Sequence, residues 1–445
     1  MRISTSQIYD AGSLNIQRNQ ASLFKLQNQL STGRRVLTPE DDPVAAAQAL
    51  LVTQAKEMNA QQTTNQGNAE SQLGLVDSQL SSLVDLIQNV RDRVLQAGNS
   101  TLGASDRQSI ATELEARFGE LLGIANAQNG SGDYLFSGYQ GATKPFAINA
   151  SLSVVPPATT APVGYYGDDG ERLLQVSSSR LMPVNVAGSD VFMNAKQGNG
   201  TFVVETGGNI GGGINQGSAT VDSGSVLDLQ KWQAGVNSFG WSNANNPSIQ
   251  VRFSVAAGAT TYQLYDVSVA ASPVAISAAA AYTPGQAIPL ASTNPPAATA
   301  TDFGSNFVVQ GTPADGDTFS VAPSTNQSIF QTVQSLIGIL KTPVGTSTFS
   351  RSEYTNALGQ QLVNLDRALD NVSSVQATVG TRLLELESLG ETASDLDLQY
   401  QTTLSGLQDL DWAKAISDFT MQQTYLEAAQ KSFAQISGLS LFNYL

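Results

Sequence analysis

Two apolar stripes with coiled-coil spacing lie far apart in this 445-residue chain. The first runs Leu73, Val76, Leu80, Leu83, Ile87, Val90, Val94, Ala97, in alternating steps of three and four. The second keeps the same rhythm from Leu358 to Leu407, and only Gln376, Gly390 and Asp397 break its apolar character. A repeat averaging 3.5 residues keeps one helix face against a partner over its whole length. Asp42-Pro43 reads as an N-cap with proline at the first helical position, and Gly98-Asn99 as a stop, so a helix is expected over 43–98. A second is expected over 352–409. At ~1.5 Å per residue the two are roughly 84 and 87 Å long, matched for antiparallel packing. A shorter helix, capped by Ser105 or Asp106 and ending near Asn129-Gly130, presents Ile110, Leu114, Phe118, Leu121 and Ala125 as a third partner.

Between these helices the pattern changes. Residues 147–325 are rich in Gly, Ala, Thr, Ser and Pro, and show period-two runs at Phe202/Val204, Ile249/Val251/Phe253/Val255, Tyr265/Val267/Val269 and Phe319/Val321. Such alternation predicts half-buried strands, with a hairpin turning at Ala257-Gly258-Ala259. The expected fold is therefore α+β and multidomain: a long antiparallel coiled-coil helical rod built from both chain ends, with an inserted mainly-β domain. The expected boundaries are 1–42 (N-terminal axial segment), 43–146 (rod), 147–325 (variable β-rich domain), 326–411 (rod) and 412–445 (C-terminal axial helix).

Composition narrows the chemistry. With no histidine and no cysteine there is no Ser-His-Asp triad, imidazole metal ligand, thiolate nucleophile or disulfide. A formal charge of −15, with no basic cluster longer than Arg34-Arg35, argues against nucleic acid as a partner. No stretch is long and apolar enough to insert in a membrane; the best, Val267 to Tyr282, contains Pro273. The first residues lack the apolar core of a Sec signal peptide. Acidic clusters at Glu40-Asp41-Asp42, Gly167-Asp168-Asp169-Gly170 and Asp315-Gly316-Asp317 admit a cation site, but capping and β-turns explain them as well. Gly211-Gly212-Gly213 lacks the rest of a phosphate loop. No cofactor, metal or catalytic residue is expected.

The ends carry further apolar residues that the rod does not use: Leu23, Leu26 and Leu30 before Gly33, then Ile416, Phe419, Leu426 and Phe433, and the tail Leu439, Leu441, Phe442 and Leu445. Helices of this kind gain most of their stability from packing, so these residues are expected to pair with one another and with neighbouring subunits. Asp41, Asp42 and Pro43 would fix the start of the rod.

The residues at both ends also carry a family resemblance. Arg2-Ile3-Ser4-Thr5, Arg18-Asn19-Gln20, the block LSTGRRVLTPEDDPVAAAQAL (30–50), GDYLFSGYQGATKPF (132–146) and the closing TMQQTYLEAAQKSFAQISGLSLFNYL (420–445) resemble the flagellin superfamily. Within it the match is to the proteins of the hook–filament junction. The resemblance implies a structural subunit of the bacterial flagellum, exported by the type III apparatus with a chaperone. It also implies an extracellular layer of self-associated copies between hook-associated protein 1 and flagellin. Alternatives are a filament-forming flagellin and, from another class, a coiled-coil surface adhesin whose β domain binds glycans. A carboxylate enzyme would need two acids ~5–10 Å apart, and the middle zone offers no such motif.

Overall fold

The computed structural model describes residues 5–99, 101–149, 162–239, 249–268, 273–293 and 301–438. Leu439, Leu441, Phe442 and Leu445, expected to dock on a neighbour, lie outside the described residues. The chain divides into two compact units. One comprises Met1–Gly67, Gln175–Arg180 and Leu386–Leu445; the other comprises Asn68–Leu174 and Leu181–Glu385. Helices α1 (Thr5–Thr32), α2 (Pro43–Ala97), α3 (Ala104–Ala125), α4 (Gly188–Phe192), α5 (Leu229–Ser238), α6 (Ile329–Lys341), α7 (Arg351–Gln408) and α8 (Trp412–Gly438) carry the α part.

In the second unit the α2 stripe is a core in full. All eight residues from Leu73 to Ala97 are buried, and so are Leu358, Leu365, Val372 and Val379 of α7. Each fully buried aliphatic side chain contributes roughly 1.5–3 kcal/mol of transfer free energy, which outweighs the cost of ordering it. The helices run antiparallel: Tyr354 Oη donates to the Ala97 carbonyl (2.8 Å) and Arg91 Nε to Asp366 (2.7 Å). Gln376, out of place in an apolar stripe, makes a polar layer by donating to Asp77 Oδ1 and Ser81 Oγ.

The third helix is shorter than expected, ending at Ala125, and its N-cap is Gly103. Asp106 reaches back to accept the Gly103 N–H at 3.0 Å, so the acid acts from the first turn and not from the cap itself. Its main partner is α6, buried at every position from Ile329 to Leu340 except the half-buried Gln331. Ser328 caps α6 by accepting from Gln331 N.

Among the described residues the strands form five antiparallel sheets, three of them two-stranded, and the two larger ones build the β domain. The larger orders its strands 274–275, 259–266, 249–256, 317–323, 202–209, with 280–281 also on 259–266. The smaller orders 287–292, 301–310, 220–221, with 225–226 also on 301–310. Phe202, Ile249, Val251, Phe253, Phe303, Phe307, Phe319 and Val321 fill one core, and Trp232 of α5 closes it. The 249–256/259–266 hairpin turns on two residues rather than three. Ala259 already pairs with Ala256, while Ala257 (φ 51°) and Gly258 (φ 79°) make the turn. Left-handed geometry at both central residues matches the twist of the strands.

In the first unit α1 and α8 pack antiparallel. Tyr9 meets Phe433 edge-on (centroids 4.8 Å), and Gln422 Nε2 donates to Asn19 Oδ1. The contact is close enough that a Cβ on Gly12 would sit 2.7 Å from the Phe433 ring. Asp397, another break in the α7 stripe, faces Lys56 of α2 at 3.8 Å.

Candidate assembly surface

The neck between α1 and α2 begins where α1 stops. Gly33 takes φ +68°, a left-handed turn that glycine adopts without the steric cost of a Cβ, and returns its N–H to the Gln29 carbonyl. The chain then pairs with the α7–α8 connection. Arg35 N donates to Gln408 O (2.7 Å), Leu410 N to Gly33 O (3.0 Å), and Arg35 Nη2 to Leu407 O (2.9 Å). Two connections far apart in sequence are thus sewn together at one level.

The acidic triplet finishes this neck. Asp42 Oδ1 accepts the Ala45 N–H at 3.0 Å, and its Oδ2 pairs with Arg35 Nη1 at 3.0 Å. Backbone donation from Ala45, then Arg35, holds the Asp42 carboxyl below its ordinary value. Pro43 opens α2 at the one position where its missing N–H costs nothing. Asp41 pairs with Lys25 and accepts the N–H groups of Leu37 and Thr38 at 2.9 and 3.0 Å. Lys25 first, then those backbone donors, bring its pKa down from 3.8 to about 2.

The other acidic clusters are consumed by the fold. Asp168 Oδ1 accepts from Tyr139 N and Gly170 N, both at 2.8 Å. Asp317, fully buried, accepts from Asn209 Nδ2, Gln216 N, Gly217 N and Ala314 N. Among the described residues no three acidic side chains converge as metal ligands. A cleft of about 600 Å³ is lined in part by Glu205, Asp222 and Glu353. Glu353 receives the Thr206 hydroxyl at 2.7 Å, and Asp222 the N–H groups of Gly224 and Val308.

The motif at 132–146 has a structural role of its own. Gly138 is left-handed (φ +69°), and a Cβ there would fall 2.1 Å from Asp168 Oδ1. Asn185 Nδ2 donates to the carbonyls of Gly138 and Gly170, locking the two loops together. Phe136 and Phe146 then pack on Phe192, and Phe146 and Phe192 on Phe330.

The sequence-derived interface residues fall into two groups. Leu23, Leu26, Leu30, Phe419, Leu426 and Phe433 are half-buried, while Ile416 is 54% exposed. Outside that set stand Leu14, Phe24 (65% exposed), Trp412, Met421 and Tyr425, each a large apolar side chain facing solvent. Trp412 heads the same 3–4 stripe as Ile416 and Phe419, but single-stripe reasoning missed Leu14, Phe24, Met421 and Tyr425. Phe24 sits one residue from Leu23, off the 3–4 rhythm, and a second stripe on one helix was the signal that could have found it.

Three comparisons bear on this arrangement. Residues 3–141 match the bacterial flagellin N-terminal helical region. Flagellar hook-associated protein 3 of Escherichia coli (strain K12) is 28% identical over 442 residues, 99% of each chain. The crystal structure of the flagellar junction protein FlgL from Legionella pneumophila superposes with a TM-score of 0.65 at 30% identity, covering 81% of this chain and all of that one. With a solved relative matched over its full length, and a curated one end to end, the chain belongs to the flagellar hook-associated protein 3 family.

Proposed function

We propose that this chain is a structural subunit of the bacterial flagellum, forming the junction between hook and flagellin filament. Its contacts are with further copies of itself, with hook-associated protein 1 on one side and with flagellin on the other. It reaches that place by type III export with a chaperone, and works outside the cell. The axial segments 1–42 and 412–445 form its assembly surface. Leu23, Leu26 and Leu30 of α1 and Phe419, Leu426 and Phe433 of α8 line that surface, and Ile416 and the 439–445 tail reach a neighbouring copy.

The observation that carries this reading is the solvent-facing apolar set on α1 and α8. Large side chains such as Phe24 and Ile416 are left exposed together on a pair of helices whose other faces are already in contact. Contiguous exposed apolar surface marks an interaction site, and repeated head-to-tail contacts between identical copies generate rings or helical layers.

The test is Phe24→Asp with Ile416→Asp. Both side chains are more than half exposed in the free chain, so its melting temperature is expected to stay put. Incorporation at the hook tip, and swimming, should be lost. Normal filaments from this variant would remove the assignment of the surface.

A further inference from the structure

A cleft in the second unit joins apolar walls to negative charge. It is lined by the first turns of α7, by strand 202–209 and by one side of α6, and its volume is about 600 Å³. Strand 202–209 is the outermost strand of the larger sheet, so among the described residues no further strand covers its free edge. Small-molecule sites typically span ~300–1,000 Å³ and are mostly apolar, with a few placed polar groups that fix the ligand. Here Ile214, Ile339 and Phe349 supply apolar wall, and Glu205, Asp222 and Glu353 supply carboxylates. Among the described residues no lysine or arginine lines the cleft.

The three carboxylates differ in what they already hold. Asp222 Oδ1 accepts two backbone N–H groups, from Gly224 at 3.0 Å and Val308 at 2.8 Å, and so ties its loop to strand 301–310. Glu353 is only 9% exposed. The Thr206 hydroxyl donates to its Oε2 at 2.7 Å, while Oε1 accepts nothing among the described residues. The Glu205 carboxylate has neither a hydrogen bond nor an ion pair among the described residues. It reaches solvent at the cleft wall, yet the protein around it strips enough water that desolvation raises its pKa. Crowding a carboxylate without a counter-charge costs free energy. A charge on an edge strand also deters pairing with another chain. That accounts for Glu205 alone, and leaves unexplained both the half-used Glu353 that shares its cleft and the apolar walls.

We infer that this cleft binds a small organic cation: an ammonium or guanidinium head on an apolar stem. The head takes charge-assisted hydrogen bonds from its N–H groups to Glu353 Oε1 and to the Glu205 carboxylate. The stem lies against Ile214, Ile339 and Phe349. A metal ion is the poorer match, since among the described residues no three acidic side chains converge as ligands. An anion, or an uncharged apolar molecule, would leave both carboxylates uncompensated. The cleft lies wholly within the second unit, and its test does not depend on the junction reading.

The probe is n-butylguanidinium, with n-butylurea as its uncharged match in shape. Isothermal titration calorimetry of the full chain at physiological ionic strength should show saturable one-to-one binding of the cation. The urea should bind at least roughly tenfold more weakly, as should the cation to Glu205→Gln and to Glu353→Gln; that is the loss expected for a hydrogen bond to a charged group. Asp395→Asn removes an exposed carboxylate outside the cleft and should leave the affinity unchanged, which separates a site from general attraction to a chain of net charge −15. Glutamine at 205 gives up no hydrogen bond, so that variant should melt with the unaltered chain. If Glu353→Gln melts lower, Glu205→Gln carries the test alone. Urea bound as tightly as the cation, a titration that never saturates, or an affinity that Glu205→Gln leaves unmoved would overturn the inference.

Discussion

Asp317 shows how a residue that invites a ligand can instead be a clamp. Its carboxylate is fully buried and takes three backbone N–H groups and one side-chain amide, gathering the 214–217 and 314–316 loops at the end of a sheet. Truncation strands those buried donors, each of which costs ~1–3 kcal/mol unpaired. Asp317→Ala should therefore destabilise the β domain by about 3 kcal/mol or more, read by chemical denaturation; a loss under ~0.5 kcal/mol is what a surface position would give. Asp41 makes a pH statement. Its folded pKa, about 2, lies below the ordinary 3.8, so its stabilising contribution is complete above the ordinary value and disappears as pH falls through the folded one. Melting temperatures of the unaltered chain and of Asp41→Asn should differ at pH 6 and converge as pH drops towards 2; a gap independent of pH would contradict the Lys25 and backbone contacts as its source. Residue chemistry was only half legible beforehand. Acidic triplets advertise negative charge, but whether N–H donors surround them depends on loops brought together from distant sequence, as Asn209 and Gln216 are at Asp317.

Among elements, α2 is the one its sequence describes best. Heptad spacing named the residues of its core, because burial on a long helix follows directly from period. Leu80→Ala should cost about 2–5 kcal/mol, as for other cavity-forming core truncations. Leu75→Ala, off the stripe and 42% exposed, should fall within ~0.5 kcal/mol of the unaltered chain. Equal effects of the two would mean that the stripe is not the core. What the stripe could not reveal is α6. Buried except at Gln331 and Lys341, it has too little polar face to set a period, and a short apolar run such as Ile329-Phe330…Ile339-Leu340 is ambiguous between helix and strand. The β strands were legible as alternation. Their order was not, since pairing such as 317–323 between 249–256 and 202–209 depends on long-range closure.

At the scale of the whole molecule, sequence patterning separates a helical part made from both ends of the chain from a β-rich insertion, and the described residues carry both. Neither the interface that the apolar ends make nor the layer they build is a property of one chain. Its central claim is that this chain occupies the place between hook and filament. Immunogold electron microscopy of intact flagella, with antibody against the full protein, tests it most directly. The account predicts a single compact band of label where the hook meets the filament, absent from cells lacking the gene. Label running along the filament, or spread over the cell surface, would contradict it.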